Sequence, residues 1–183
     1  MGRLLVLEGP SGVGKTETMK VLIRNTPVVK PITCTTRDMR PGETNGIDYH
    51  FLTEQEFQEG VENGDFIETV VYAGNRYGTR YKDLMKLIEQ GMDGVLIMEI
   101  NGAKKIKETF PEFTEIVHLE RPFEELVMAI LERDIPNADK RDRIVQLLDD
   151  MKVAEMDCID HRVFNETGKL EETAQKIYAL LKK

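Results

Sequence analysis

The segment that most constrains the fold runs from Leu4 to Met19 and reads LLVLEGPSGVGKTETM. An apolar run typical of a buried strand leads into a glycine-rich turn, and helix-forming residues follow the turn. Within it, Gly9, Gly14, Lys15 and Thr16 fit the pattern G-x-x-x-x-G-K-[ST], a phosphate-binding loop. Because that loop works between a strand and a helix, the sequence predicts an α/β fold that binds a nucleotide.

The spacing of the loop has a chemical reason. Gly12 and Gly14 carry no Cβ, so the backbone can curl until its N–H groups point at a phosphate. Lys15 can then reach the β- and γ-phosphates, and the Thr16 hydroxyl can ligate Mg²⁺ beside a helix whose dipole favours anions. The predicted ATP-phosphate contacts are Gly9, Ser11, Gly12, Val13, Gly14, Lys15, Thr16 and Glu17.

Composition narrows the class of protein. The chain has 183 residues, which suits one compact domain with a small insert. Its net charge of -8 argues against a nucleic-acid partner, and no apolar run approaches membrane-spanning length. Its two cysteines, Cys34 and Cys158, lie far apart, and we interpret them as reduced thiols of a cytoplasmic protein.

Strand-like and helix-like segments alternate along most of the chain, which predicts a parallel sheet flanked by helices. Segment 33–79 breaks the alternation and is interpreted as an inserted α+β piece. Residues 74–80, at its end, are interpreted as a turn-rich loop. The predicted strands are 3–8, 28–33, 48–52, 65–71, 94–100, 115–119 and 161–164. The predicted helices are 15–24, 53–63, 81–89, 102–109, 124–133, 141–157 and 170–181, with a break at 134–139.

Four motifs occur in order along the chain: GPSGVGKT, TCTTRDMRPGETNGIDYHF, GDFIET and GNRYGT. Through them the sequence resembles the guanylate kinase family over nearly its full length. The resemblance implies transfer of the γ-phosphoryl group of ATP, with Mg²⁺, to GMP and also dGMP. It also implies a P-loop core (1–32 and 80–183), a GMP-binding insert (33–79) and a helical lid (about 125–156).

The resemblance assigns the acceptor phosphate to two arginines and two tyrosines. Arg37 and Arg40, three residues apart in a polar loop, offer planar guanidinium forks that suit a doubly charged phosphate. Tyr49 and Tyr77 add phenol donors. Two arginines in a polar loop are usually solvated, but the flanking TTR and RPGE patterns favour phosphate binding here.

The guanine base is assigned in the same way. A carboxylate can accept hydrogen bonds from N1 and N2 of guanine, and hydroxyls can donate to O6. Glu68 matches the family's carboxylate, and Thr33 and Thr79 match its hydroxyl positions. A base without those donors, such as adenine, would leave Glu68 unpaired, so a site of this kind discriminates strongly.

Two regions depart from the family pattern. Glu99 ends an apolar run at the ligand-binding edge, where it would contact guanine or hold Mg²⁺ through water. The family's second aspartate is absent after it, and Asn101 is the polar residue that remains. In the lid, one family arginine falls on Ala129, Arg133 matches another, and a further one falls near Arg141 or Arg143. The resemblance therefore implies Arg133, Arg141 and Arg143 as catalytic arginines, and the alternative is that the last two are helix-surface charges paired with Asp139 and Asp142.

Two alternatives remain open, and a third is excluded. An inactive relative would serve as an interaction module, although such relatives typically have a degraded phosphate loop. A kinase of another or modified nucleoside monophosphate would fit the changes around Glu99 and in the lid. A regulatory GTPase would need an Asn-Lys-x-Asp segment, which the sequence lacks. The expected partners are small nucleotides, and the chain would be a monomer or a homodimer.

Overall fold

The computed structural model describes residues 1–72, 74–132, 134–153 and 156–182. The strands are β1 Leu4–Glu8, β2 Cys34–Thr35, β3 His50–Phe51, β4 Phe66–Tyr72, β5 Asn75–Arg80, β6 Gly94–Ile97, β7 Thr114–Glu120 and β8 His161–Phe164. The helices are α1 Lys15–Asn25, α2 Glu54–Glu62, α3 Tyr81–Glu89, α4 Ile100–Thr109, α5 Phe123–Leu131, α6 Asn137–Val153 and α7 Leu170–Leu180.

One sheet is entirely parallel, with the strand order β6-β1-β7-β8. Alternate side chains of β1 serve opposite faces. Leu5 and Leu7 pack in a core that includes residues of α1, α5 and α7, whereas Leu4 and Val6 pack with residues of α3 and α4. The predicted parallel sheet flanked by helices is confirmed, and β1 delivers the phosphate loop at the carboxyl edge of the sheet.

The second sheet is mixed, with the order β3-β2-β5-β4. Helix α2 packs against it through buried Phe57, whose ring stacks on Phe66 at a centroid distance of 4.6 Å. The helix begins with a capping box between Thr53 and Glu56. All four strands of this sheet lie between Cys34 and Arg80.

The interpretation of 74–80 as a loop is wrong. Residues Asn75–Arg80 form β5, which pairs antiparallel with β4 and also with β2. The glycine that suggested a turn, Gly78, instead makes room for a ring. A Cβ there would lie 2.7 Å from Cδ1 of Phe66, so the strand tolerates only a hydrogen at this position.

Among the other differences from the predicted boundaries, three exceed two residues. Segment 28–33 is not a strand: Val29 forms a single bridge with Gly94, and Pro31 has no N–H to donate. The strand predicted over 94–100 ends at Ile97, and α4 already begins at Ile100. Helix α6 begins at Asn137, inside the predicted break.

In the described part of the chain, every helix is too short or too polar to cross a membrane.

Candidate active site

The phosphate loop connects the buried strand β1 to helix α1. Gly12 and Gly14 have φ angles of 92° and 96°, in the left-handed region that favours glycine. At Gly9 a Cβ would lie 2.6 Å from the Leu119 carbonyl oxygen, so the loop needs its glycines for space as well as for backbone conformation. The N–H groups of the first turn of α1, which have no acceptor within the helix, face the carboxyl edge of the sheet.

The predicted phosphate-binding side chains cluster at this loop with one exception. The Lys15 ammonium donates to the carbonyl oxygens of Gly9 and Pro10, so it spans the loop. Thr16 follows in the first turn of α1. Glu17, in contrast, pairs with Lys20 at 2.8 Å on the exposed surface of the helix.

Residues distant in the sequence donate hydrogen bonds to carbonyl oxygens of the phosphate loop. Asn165 is buried and donates from Nδ2 to the Val13 carbonyl oxygen at 2.7 Å. Arg121 donates to the Gly12 carbonyl oxygen at 3.3 Å and also binds Glu125 and Thr167. These contacts join the loop to α5 and to the segment after β8.

A buried pair of titratable groups lies just before the loop. Nδ1 of His118 on β7 lies 2.5 Å from a carboxylate oxygen of Glu8, the last residue of β1. Both side chains are less than a tenth exposed. The pair therefore fixes the end of β1 from which the phosphate loop departs.

A cavity of about 480 Å³ opens between the second sheet and the carboxyl end of β6. Its walls include the following predicted acceptor-site residues: Thr33, Tyr49, Glu68, Tyr77, Thr79 and Glu99. Because β6 pairs with β1, this cavity lies beside the strand that leads into the phosphate loop. The structure thus brings six of the eight predicted acceptor-site residues around one space.

One end of the cavity carries a hydrogen-bonded carboxylate. The Thr79 hydroxyl donates to Oε1 of Glu68 at 2.7 Å. Burial raises the pKa of Glu68, while the Thr79 hydrogen bonds and the positive charge of Lys105 act to lower that pKa. This end therefore presents a carboxylate acceptor bonded to the Thr79 hydroxyl, and Thr33 lines the same cavity.

The other end carries phenols. The rings of Tyr49 and Tyr77 meet edge to face at 6.1 Å, and the Arg37 guanidinium lies 5.7 Å from the Tyr49 ring centroid. Glu43 accepts two hydrogen bonds from Arg37, at 2.7 and 3.0 Å, which raises the pKa of Arg37. Arg40 has an exposed side chain, and its backbone N–H donates to Glu43. Neither arginine lines the cavity itself.

The three arginines predicted for the lid are placed differently. Arg143 on α6 donates from Nη1 to the Ser11 hydroxyl at 3.2 Å, which brings its charge to the phosphate loop. Arg141 lies two residues earlier, roughly 200° around the helix, and is exposed. Arg133 lies outside the described residues. The described residues include no cluster of three or more histidine, cysteine, aspartate or glutamate side chains suited to a metal ion.

Comparison with known proteins identifies the family. The family model described as guanylate kinase matches residues 1–183. The chain belongs to the guanylate kinase family. The guanylate kinase of Lactobacillus acidophilus is 36% identical over 169 residues, covering 91% of this chain and 82% of that protein. The guanylate kinase of Oceanobacillus iheyensis is 33% identical, covering 99% of this chain and 87% of that protein.

Solved structures agree with this assignment to the guanylate kinase family. The crystal structure of guanylate kinase from Anaplasma phagocytophilum superimposes with a TM-score of 0.69 at 30% identity, covering 99% of this chain and 85% of that chain. Shikimate kinase from Acinetobacter baumannii, at 14% identity, has a TM-score of 0.50 and covers 98% of this chain and 93% of that chain. The second likeness shows the P-loop fold alone.

Sequence reasoning assigned no role to Asn165, Arg121, Glu43 or the Glu8–His118 pair of this guanylate kinase family member. Glu43 had a local signal, because it lies six residues after Arg37 in the motif that carries the resemblance. The others had none, since their contacts with β1 and the phosphate loop join residues more than 100 positions apart and only the fold brings them together.

The two described lid arginines provide a matched pair of variants. We expect Arg143→Ala to lower kcat roughly tenfold, because it removes a charged hydrogen-bond donor beside the phosphate loop. Arg141→Ala removes the same charge from the exposed side of the same helix and should leave kcat within twofold of the wild type. Steady-state kinetics of both variants test this difference, and equal losses in the two variants would contradict it.

Proposed function

We propose that this protein is a guanylate kinase that transfers the γ-phosphoryl group of ATP to GMP, and also to dGMP. The observation that carries the proposal is the cavity, where Glu68 and two threonine hydroxyls oppose two phenols beside the phosphate-loop strand. A donor-rich purine edge and a monophosphate match these two ends. The reaction needs positioned charge rather than a covalent intermediate.

In the proposed acceptor complex, Glu68 accepts hydrogen bonds from guanine N1 and N2 while Thr33 and Thr79 donate to O6. For Thr79 this requires its hydroxyl to turn from Glu68, to which it donates in the structure, to the base. The phosphate is bound by Arg37, Arg40, Tyr49 and Tyr77. For Arg37 this requires its guanidinium to exchange Glu43 for the incoming phosphate, or to bind both. The proposal assigns Glu99 either to guanine or to Mg²⁺ through water, and its position at the cavity wall is compatible with both.

In the proposed donor complex, the loop N–H groups and Lys15 bind the phosphates of ATP. Two features support binding of phosphates here. The three glycines of the loop have neither the space nor the backbone conformation that a side chain would need, and the N-terminus of α1 favours anions. The Thr16 hydroxyl would hold Mg²⁺ together with phosphate oxygens. When bound, Mg²⁺ neutralises the charge that develops on the transferred group. Ser11 and Arg143 would approach the same phosphates.

The same proposal divides the chain into a P-loop core (1–32 and 80–183), a GMP-binding insert (33–79) and a lid (about 125–156). Closure of the insert and the lid would exclude water, since exposed phosphoryl transfer leads to hydrolysis. We further propose a cytoplasmic monomer or homodimer that acts on free nucleotides rather than on nucleic acid or membranes. An acidic composition and two cysteines that form no disulfide support this.

A coupled assay of ADP release across GMP, dGMP, AMP, CMP, UMP and dTMP tests the function. We expect turnover with GMP and dGMP and at most a small percentage of that rate with the other four. A faster rate with another monophosphate would reassign the acceptor. Binding of GMP without turnover would favour an interaction module instead.

A further inference from the structure

The end of the cavity formed by Glu68 and Thr79, here called the base end, includes a cation to which the proposed function gives no role. Lys105 on α4 lines the same cavity as Glu68. Of the described residues that line this cavity, Lys105 alone is a lysine or an arginine. Asn101 and Gly102, on the preceding turn of α4, line it too. A lone ammonium beside the base-reading carboxylate is the feature to be explained.

The packing of α4 on β4 brings the two charges together. A Cβ built at Gly102 would lie only 3.7 Å from Oε2 of Glu68, so this face of the helix directly opposes the carboxylate. Lys105 lies three residues further along, and residues three or four apart share one face of a helix. The Lys105 side chain therefore extends along the face that meets Glu68.

The other titratable groups around Glu68 do not replace this cation. From the remaining walls, Tyr49, Tyr72 and Tyr77 present phenols, and Glu99 presents a second carboxylate. Thr79 on β5 contributes a neutral hydroxyl donor. Burial raises the pKa of Glu68, the Thr79 hydrogen bonds lower it, and Lys105 supplies the opposing charge.

We propose that Lys105 is a specificity-determining positioning residue that keeps Glu68 as the carboxylate form needed to accept two N–H donors from the base. The inference rests on the proposed function, because Glu68 must read the base for Lys105 to matter. An ionised Glu68 complements adjacent donors, as in guanine. A protonated Glu68 offers one donor and one acceptor, which suits the N1 and N6 edge of adenine better.

Lys105→Met tests this inference, with Lys104→Met as the control on the neighbouring position of the same helix. Without the Lys105 charge, Glu68 protonates at higher pH, so the acid limb of kcat/KM for GMP should move up by about 0.5–1 pH unit. Below that limb the preference for GMP over AMP should fall about threefold to tenfold, while KM for MgATP stays constant. Lys105→Arg should restore the wild-type profile.

The phosphate of GMP also titrates, near pH 6, but it does so equally for every variant. The shift between variants therefore reports the enzyme alone. Calorimetry in two buffers of different ionisation enthalpy gives a second measurement. Lys105→Met should release more protons on binding GMP at mildly acidic pH than Lys104→Met does.

The possible outcomes separate the two proposals. If the wild type neither binds nor phosphorylates GMP, the proposed function and the role of Lys105 fail together. If GMP binds and the two methionine variants have the same acid limb and the same proton release, only the role of Lys105 is overturned. A loss of kcat/KM in Lys105→Met that is equal at all pH values would also overturn it, because that is the result for a merely structural residue.

Discussion

Replacing Lys15 with methionine is expected to lower kcat for GMP phosphorylation by roughly 10²- to 10³-fold while the fold persists. The Lys15 ammonium spans the phosphate loop, where it binds two carbonyl oxygens, and it is the charge that meets the β- and γ-phosphates in the proposed complex. Methionine has a similar length without the charge. Single-turnover measurements at saturating MgATP and GMP give the chemical step directly.

Lys20→Met is the control for that experiment. Lys20 lies on the same helix, but it is exposed and pairs with Glu17 at the surface. Its replacement should leave kcat within twofold of the wild type and change stability by less than about 1 kcal/mol. Near-native turnover by Lys15→Met would contradict the phosphate-binding role, whereas loss of the helical circular-dichroism signal would show that the loop contacts are needed for folding.

Local sequence determined the parts of this molecule that could be predicted. The strand, loop and helix around Lys15 are contiguous, so a pattern of a few residues suffices to place them. Strand β5 could not be recognised in this way, because Asn75–Arg80 is extended through pairing with β4 and β2. The polar, glycine-containing segment has no strand signal of its own.

The base end of the cavity shows how one boundary alters a site. The apolar run that ends in Glu99 predicted a strand through residue 100, which would point alternate side chains to opposite faces. Instead Glu99 occupies the N-cap position of α4, without a side-chain capping hydrogen bond, and the helix contributes Asn101, Gly102 and Lys105 to the cavity wall. Lys105 lies inside the predicted helix 102–109, but the packing of α4 against β4 that places this helix beside Glu68 follows from no local pattern, so the sequence alone gave Lys105 no role.

Helix α6 shows a different limit of prediction from the sequence. A run of charged residues, Lys140 to Arg143, gives no periodic signal that says which side chain faces the phosphate loop. The contact between Arg143 and Ser11 depends on how α6 packs over α5 and the loop. Helical geometry then turns Arg141 away, because two residues cover more than half a turn.

Glu68→Gln is expected to lower kcat/KM for GMP by roughly 10²- to 10³-fold and to change KM for MgATP less than twofold. The amide retains one oxygen that can accept the Thr79 hydrogen bond, so the local structure should persist. Its NH₂ group, however, opposes a donor of guanine, and one base donor is left buried without an acceptor. Activity on AMP should rise, because glutamine presents both a donor and an acceptor to the adenine edge.

The pH dependence of the same variant follows from the raised pKa of Glu68. In the proposed complex the base is bound by the carboxylate form, so we expect GMP affinity to be present above that pKa and lost as the pH falls through it. In Glu68→Gln this part of the acid limb should disappear, leaving the titration of the substrate phosphate. The variant should also be no less stable near neutral pH, since a carboxyl with a raised pKa in the folded state disfavours folding once it ionises.

Glu62→Gln provides the matched control. Glu62 is an exposed glutamate at the end of α2, the helix that packs against the sheet containing Glu68. Its kcat/KM for GMP and its acid limb should equal those of the wild type. Equal losses of GMP and MgATP affinity in Glu68→Gln would exclude base reading by Glu68. A selective loss of GMP, with a gain on AMP, would instead identify the carboxylate at this cavity wall as the group that distinguishes guanine from adenine.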